Sequence, residues 1–481
     1  MKVDVLDEEP LIFGSGRECV DPKLGINLYG PSSWDGSTEK EIIAGIVGTN
    51  SSIGQFLMML EKLRQRTNIS GDPKPWKREF PGLGPKSPLH FDIVIGKDMR
   101  ELILEEEEEK ALSASSRKQR ILNACKLYEE KFTNLMSTVH PAPEIVYVPL
   151  SRNLIERTKD LYFETDRISY ERRTMQPRVY KTQIPLFDFH HFLKVVGFKW
   201  NITTQMVRPS TYEMTSSGQQ DLATSFWNFS VATYYKATGT PWKLANLDEE
   251  TCYVGIAFYQ DPSEEESNMR TSMAHVYLKS GESQIIRGMG FRWERKEGRE
   301  PHLDSNQAKV ILSKVIDLFE SQKRRKPLRV VVHKSSDYRE EEIEGFTRAA
   351  DSIEKLDLIH IYSRSDKRFF YNDNPYPPLR GTLIQGKKSP AFLYTTGFIR
   401  ALGTYPGSSV PWPLEFEWAK KSSRVEILAK DILALTRLDW NNSDYCKSQP
   451  VTISVSHKVG EILAESSSKK IDPPASYSYY M

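Results

Sequence analysis

Apolar and polar positions along the chain mark out strands and amphipathic helices in turn. Ile42 to Val47 is an apolar run of strand type, closed by Gly48-Thr49. Beyond it, Ile53, Phe56, Leu57, Leu60 and Leu63 recur at helical spacing and predict a helix with one buried face. Strand patterns follow at Phe91 to Ile95 and Ile145 to Val148, with a helical pattern around Ile121 to Phe132 between them. The second half repeats the scheme. A strand at Tyr253 to Tyr259 precedes a helix over 305–322, striped by Val310, Ile311, Val315, Ile316 and Phe319. A strand at Leu328 to His333, a helix around Val425 to Leu435 and a strand at Val451 to Val455 complete it. Strands alternating with helices imply α/β layers and largely parallel sheets. The turn-rich stretch Gly239 to Leu247 separates the two sets, so two α/β domains dividing near residue 245 are expected.

Charge changes this picture in two places. Glu101 to Lys110 holds the glutamates 105–109 and reads as a solvated helix face or loop. Lys323 to Lys326 follows the helix over 305–322, where basic groups complement the carboxyl end of the helix dipole. Over all 481 residues, 66 Lys+Arg stand against 64 Asp+Glu. That balance excludes a polybasic chain that coats nucleic acid without selectivity, and an acidic disordered one. The four cysteines, Cys19, Cys125, Cys252 and Cys446, form no CxxC pair. Neither a disulfide framework nor a thiolate zinc site is supported, which fits a reducing compartment. The N-terminus lacks a signal-peptide apolar region and no apolar run nears ~18 residues, so a cytoplasmic protein is expected. P-loop, GxGxxG, GxSxG and HExxH strings are absent.

The chemistry gathers between Phe187 and Leu244. His190 and Lys194 lie four apart, one above the other on a helix face. Gln205 follows past a Gly and an Asn-containing turn, and Lys236 precedes a small-residue turn and Pro241-Trp242. An imidazole, two ammonium groups and an amide donor converging on one point suit a terminal phosphate. Singly, each reads first as a surface or half-buried helix residue. Residues 151–210 carry eleven Lys/Arg against six acids, a local surplus that the whole-chain balance conceals.

As a set, these residues resemble the MID domain of the Argonaute family. There an aromatic, His or Arg side chain, a Lys four residues on, a later Gln and a further Lys seize the 5′-phosphate of a guide strand. His190, Lys194, Gln205 and Lys236 match in order and approximate spacing. Asn228 fits the start of the family's last MID helix. Members with two lysines one turn apart would need Lys at 232, where this chain has Ala232. The resemblance therefore implies a Mg²⁺ at the guide 5′-phosphate, with the carboxylate of Met481 as a candidate ligand, as in prokaryotic members. Tyr162 and Phe163 stand where a loop could stack on the guide's first base, or equally pack in the core.

From Glu144 onward the resemblance is closest, and it extends more loosely from residue 10. Arg380 to Gly397 (RGTLIQGKKSPAFLYTTG), Tyr405 to Leu414 (YPGSSVPWPL) and Leu435 to Asn442 (LTRLDWNN) follow one another as in the PIWI domain. They lead into Pro450 to Leu463. The implied architecture is α/β: a Rossmann-like MID domain within residues 1–245, then an RNase H-like PIWI domain over 246–481. Slicing PIWI domains hold two Mg²⁺ with carboxylates, and without these neither ion is retained. Here Ala257 takes the place of the first Asp and Ser335 that of the second. His457 could match the last ligand, and Glu282 is a candidate remnant of the glutamate finger or a turn residue. The resemblance thus implies a non-slicing, short prokaryotic Argonaute. Such proteins bind a guide RNA, recognise complementary invader single-stranded DNA and activate a separate APAZ-containing effector (TIR, SIR2-like or nuclease), in some cases depleting NAD⁺. Two alternatives stay open: a slicer using displaced carboxylates such as Asp337 or Asp261, and a guide-free scaffold for a partner protein.

Overall fold

The computed structural model describes the chain apart from residues 37–39, 73, 85, 159–188, 215–220, 261–268, 278–282, 293–300, 363–364, 371–376, 387–389 and 408. Its contacts gather into two compact units. The smaller comprises Ile43–Leu60 and Val94–Thr215, and the larger comprises Met1–Ile42, Glu61–Ile93 and Ser216–Met481. The turns at Gly239 to Leu247 lie inside the larger unit. There Lys243–Leu244 pairs with Leu11–Ile12, and the indole of Trp242 donates to the Arg437 carbonyl (2.9 Å).

In the smaller unit, residues 44–49 of the strand Lys40–Thr49 run parallel to Arg100–Ile103 and to Ile145–Pro149, which pairs in turn with Thr203–Val207. Ile145–Pro149 is buried at every position, because a central parallel strand covered on both faces needs an unbroken apolar run. The helix Arg117–Thr138 places Ile121, Tyr128, Phe132 and Leu135 in one core with Val146, Val148 and the Phe189–Lys199 helix residues Leu193 and Val196.

The glutamate run forms the helix Glu105–Leu112. Glu107 caps it by accepting from Leu104 N (2.9 Å). Glu108 corrects the expectation of a solvated face. It is buried, and accepts from the hydroxyls of Tyr128 (3.0 Å) and Ser151 (2.6 Å). Burial raises its carboxyl above the ordinary range, against the pull of those two bonds.

Among the described residues the larger unit carries a nine-stranded sheet. Its strand order is Lys2–Val5, Thr382–Gln385, Ala391–Leu393, Leu414–Lys420, Lys355–Ile361, Arg329–Lys334, Thr251–Gln260, Met269–Tyr277 and Ser283–Arg292. Thr251–Gln260, Arg329–Lys334 and Lys355–Ile361 are mutually parallel, and the other pairings are antiparallel. Alternation sorts the strand Thr251–Gln260 by face. Cys252, Val254 and Ile256 enter a core with Ile311, Val315 and Phe319 of the helix Ser305–Lys323. Tyr253, Gly255, Ala257 and Tyr259 point the other way.

On that other face the structure corrects a further expectation. Val451 to Val455 is not a strand: Val451–Ser454 is a helical turn running on into the helix Ser456–Ser468. The β-branched composition favours a strand. Yet Pro450 starts the turn, and Val451, Thr452 and Ile453 bury themselves. The approach is so close that a Cβ on Gly255 would lie 1.8 Å from the Thr452 carbonyl oxygen. Glycine is the residue that permits it.

Candidate nucleic-acid site

The helix Phe189–Lys199 sets His190 and Lys194 one turn apart in the smaller unit. Asn201, at φ +51°, turns the chain into the strand Thr203–Val207. Lys194 is only 2% exposed, and its Nζ donates to the Thr204 carbonyl (2.6 Å), one residue before Gln205. Helix, turn and strand thus bring the lysine to the strand that carries Gln205, at the residue before it. Gln205 is half-buried and donates to Met206 O (3.0 Å). His190 is half-buried beside the His191 ring (5.6 Å between centroids), and burial pushes His191 down to about 4. A lysine taken out of water is costly unless dipoles or an anion compensate it, and the Thr204 carbonyl dipole does so here.

Lys236 belongs to the larger unit, where it is buried at the end of the helix Leu222–Lys236. Asn228 lies in the middle of this helix, not at its start. Its Oδ1 accepts from the backbone N–H and the hydroxyl of Ser443 (both 2.8 Å), tying the helix to the loop after LTRLDWNN. The terminal turn Tyr477–Tyr479 packs on the same helix through Tyr235 and Tyr477 (6.5 Å between ring centroids), and Met481 is buried. Tyr162, Phe163, Glu282, Asp261 and most of the basic residues counted over 151–210 lie outside the described residues. Of the described ones, Arg152, Arg157 and Lys199 are paired with Glu213, Glu109 and Glu129. Those ion pairs trim the local positive surplus.

The carboxyl ends of the larger unit's parallel strands carry the other sequence-predicted positions. Ile256 and Lys334 are the last register partners of these two strands, and Ala257 and Ser335 each follow by one position in the chain. Neither alanine nor serine offers a carboxylate there. His457 is in the helix Ser456–Ser468, which meets the same face of the sheet through Gly460, near Tyr259. Asp337 points elsewhere. Its Oδ1 is 3.0 Å from His360 Nδ1, on the strand Lys355–Ile361, which flanks Arg329–Lys334 on the side away from Ala257. Lys334, in the HKSS string, is locked by both Glu342 oxygens (2.6 Å each).

A cavity of about 780 Å³ opens in the smaller unit where Thr49 and Ser151 end or follow parallel strands. Glu105, Glu106, Glu108, Glu109 and Glu213 line it beside Lys110 and Arg152. So acidic a lining repels phosphate, which separates it from the His190–Lys194–Gln205 corner. Nothing in the spacing of these residues announces the cavity; it exists because the strands end together.

Solved structures decide the fold. The Clostridium butyricum Argonaute, solved with a guide DNA and a 19-mer target DNA, matches with a TM-score of 0.67 and 14% identity, over 98% of this chain and 54% of that one. This chain has an Argonaute fold. Drosophila Piwi matches at TM-score 0.62 and 11% identity, over 100% of this chain and 56% of its own. Aquifex aeolicus Argonaute with externally bound siRNA matches at 0.58 and 15%, over 99% and 56%. The chain spans about half the length of these structures. No family model and no curated protein matches the sequence.

Within the Argonaute fold, the strings that carried the resemblance are structural. Arg380 is buried and binds Glu8 (2.9 Å), Leu433 O (3.2 Å), Thr436 Oγ1 (3.0 Å) and the Thr395 carbonyl. Arg437 is equally buried and donates to Glu9 O (2.9 Å) and the Val20 carbonyl. Gly381, at φ +87°, leaves room for Leu6, whose carbonyl oxygen would sit 2.4 Å from a Cβ there. Both arginines therefore hold the first twenty residues to the sheet. No described helix is long and apolar enough to cross a membrane.

Proposed function

We propose that this chain binds a guide RNA by its 5′-phosphate, recognises complementary single-stranded DNA of an invader without cutting it, and activates an APAZ-containing effector in prokaryotic immunity. The observation that supports guide binding is an Argonaute fold in which His190 and the buried Lys194 lie one turn apart on one helix, with Lys194 donating to the Thr204 carbonyl, the residue before Gln205. In this reading residues 1–245 contain the MID-like guide-end domain and 246–481 the PIWI-like domain. Lys194 and Lys236 supply charge, and His190 and Gln205 orient the phosphate. A Mg²⁺ there would add the charge that Ala232 withholds, with Met481 donating its terminal carboxylate.

Ala257 and Ser335, each one position beyond the register pair Ile256–Lys334 and neither a carboxylate, support a sensor that does not slice. Base pairing reads the sequence, and the protein grips backbone and A-form shape. Effector chemistry, TIR, SIR2-like or nuclease, belongs to the partner chain; this part of the reading rests on the resemblance alone.

Purified protein should carry short 5′-phosphorylated RNA, and the double variant His190→Ala, Lys194→Ala should lose it. Guide retention at the wild-type level in a folded double variant would sink the site assignment. Single-position cleavage of a complementary target in Mg²⁺ or Mn²⁺ would establish the slicer instead. A protein-like 260/280 nm absorbance ratio after purification would favour the guide-free scaffold.

A further inference from the structure

Three metal-ligating side chains meet in the larger unit, apart from the residues assigned to guide and target. Asp337 is in the loop after the strand Arg329–Lys334, His360 is on Lys355–Ile361, and Glu417 is on Leu414–Lys420. The sheet assembles them: His360 and Glu417 are register partners, and Asp337 leaves the strand on His360's other side. Asp337 Oδ1 is 3.0 Å and Glu417 Oε1 3.1 Å from His360 Nδ1, and the three ligand atoms lie within 4.8 Å of one another.

Proton counting shows what this arrangement lacks. Both carboxylates approach a single nitrogen, which carries at most one hydrogen. Glu417 accepts it, whereas Asp337 approaches to 3.0 Å outside hydrogen-bond geometry. With the other tautomer, three lone-pair donors face one another with no proton between them. With either neutral tautomer the two carboxylates face each other without a positive charge between them, a charge that a second proton on His360 or a divalent cation would supply. The surroundings also suit an ion. The Tyr362 hydroxyl donates to the same Glu417 Oε1 (2.6 Å), and its ring lies against His360 (4.1 Å between centroids), fixing both ligands. The His360 side chain is 7% exposed but that of Asp337 is 78% exposed, so the triad is closed on the protein side and open to water.

We propose that Asp337, His360 and Glu417 bind one divalent transition-metal ion, Zn²⁺ or Mn²⁺, with water completing the coordination. An imidazole nitrogen with two carboxylates suits these ions better than Mg²⁺, which favours oxygen ligands and keeps its waters. The ion sits one strand over from Ala257 and Ser335, and pins the loop after Arg329–Lys334 to the sheet.

The experiment titrates chelator-stripped, full-length protein with Zn²⁺ by calorimetry and with Co²⁺ by visible absorption. One equivalent of Zn²⁺ should bind, and Co²⁺ should give a d–d band that Zn²⁺ displaces. Asp337→Asn and His360→Ala should each weaken binding at least about 10-fold, and Tyr362→Phe by about 10–100-fold. Because Asp337 is exposed, Asp337→Asn keeps the fold and the test interpretable. Gln205→Ala should leave Zn²⁺ binding unchanged, which keeps this outcome separate from that of the guide-binding proposal. Absence of stoichiometric binding in the wild-type chain, or binding unaltered in Asp337→Asn, overturns the site.

Discussion

Single side chains in this protein are decided by which way they face. Among the glutamates 105–109, Glu108 alone is turned into the core, to serve the Tyr128 and Ser151 hydroxyls. Glu108→Leu should destabilise the chain by about 2–4 kcal/mol, since two buried hydroxyls lose their acceptor. Glu108→Gln, which keeps a carbonyl acceptor, should cost less; urea unfolding of the two variants checks the order. His333 offers a pH test. It is fully buried, its Nδ1 is 2.8 Å from Thr452 Oγ1, and burial pushes it down to about 3. A depressed histidine lets the unfolded chain take up the proton first, so stability is intact above about 6.5 and falls as pH drops toward 3. Across that window the loss approaches about 1.4 kcal/mol per pH unit. Melting temperatures of His333→Gln should fall less steeply between pH 7 and 4.5 than those of the wild type; parallel curves would contradict the assignment. Neither residue is distinguishable from its neighbours by composition. The apolar stripe of the helix 305–322 was readable because several residues share one period, whereas a lone inward Glu or His adds no period to detect.

Elements show the same limit on a larger scale. The strand at Tyr253 to Tyr259 and the helix at Val425 to Leu435 were legible within a residue or two, because local pattern and tertiary burial agree there. Val451 to Val455 was not, because its β-branched run meets a sheet face already committed to a helix. Gly255 is the matching half of that contact. Gly255→Ala should destabilise the larger unit by about 3 kcal/mol or more, as Thr452 O must move away from the new Cβ. Thermal unfolding measures the loss, and a stability within about 0.5 kcal/mol of wild type would deny the close approach. The spacing of His190, Lys194 and Gln205 carried the sequence reading of a guide corner, and the structure puts the first two on one helix and the third on the strand that follows. The Asp337–His360–Glu417 triad was not, since His360 and Glu417 stand 57 positions apart and meet only through strand register.

At the scale of the whole molecule, near-neutral charge proved compatible with an Argonaute fold because charge is spent locally. Arg380 and Arg437, buried in the strings that carried the resemblance, are answered by Glu8 and the Glu9 carbonyl. Removing residues 1–9 should leave both guanidinium groups buried and short of acceptors. It should lower the melting temperature by several degrees or leave the chain insoluble. Unchanged melting in the truncated chain would show that the N-terminal segment is dispensable. That segment also has a consequence for biogenesis. The strand Lys2–Val5 lies beside Thr382–Gln385, with Asp4 and Gln385 381 positions apart. At ~5–20 residues per second, the ribosome delivers the partner roughly 20–80 s after the first strand. The strand Lys2–Val5 therefore waits through synthesis of the intervening chain, and this edge of the sheet forms only once Thr382–Gln385 has left the ribosome.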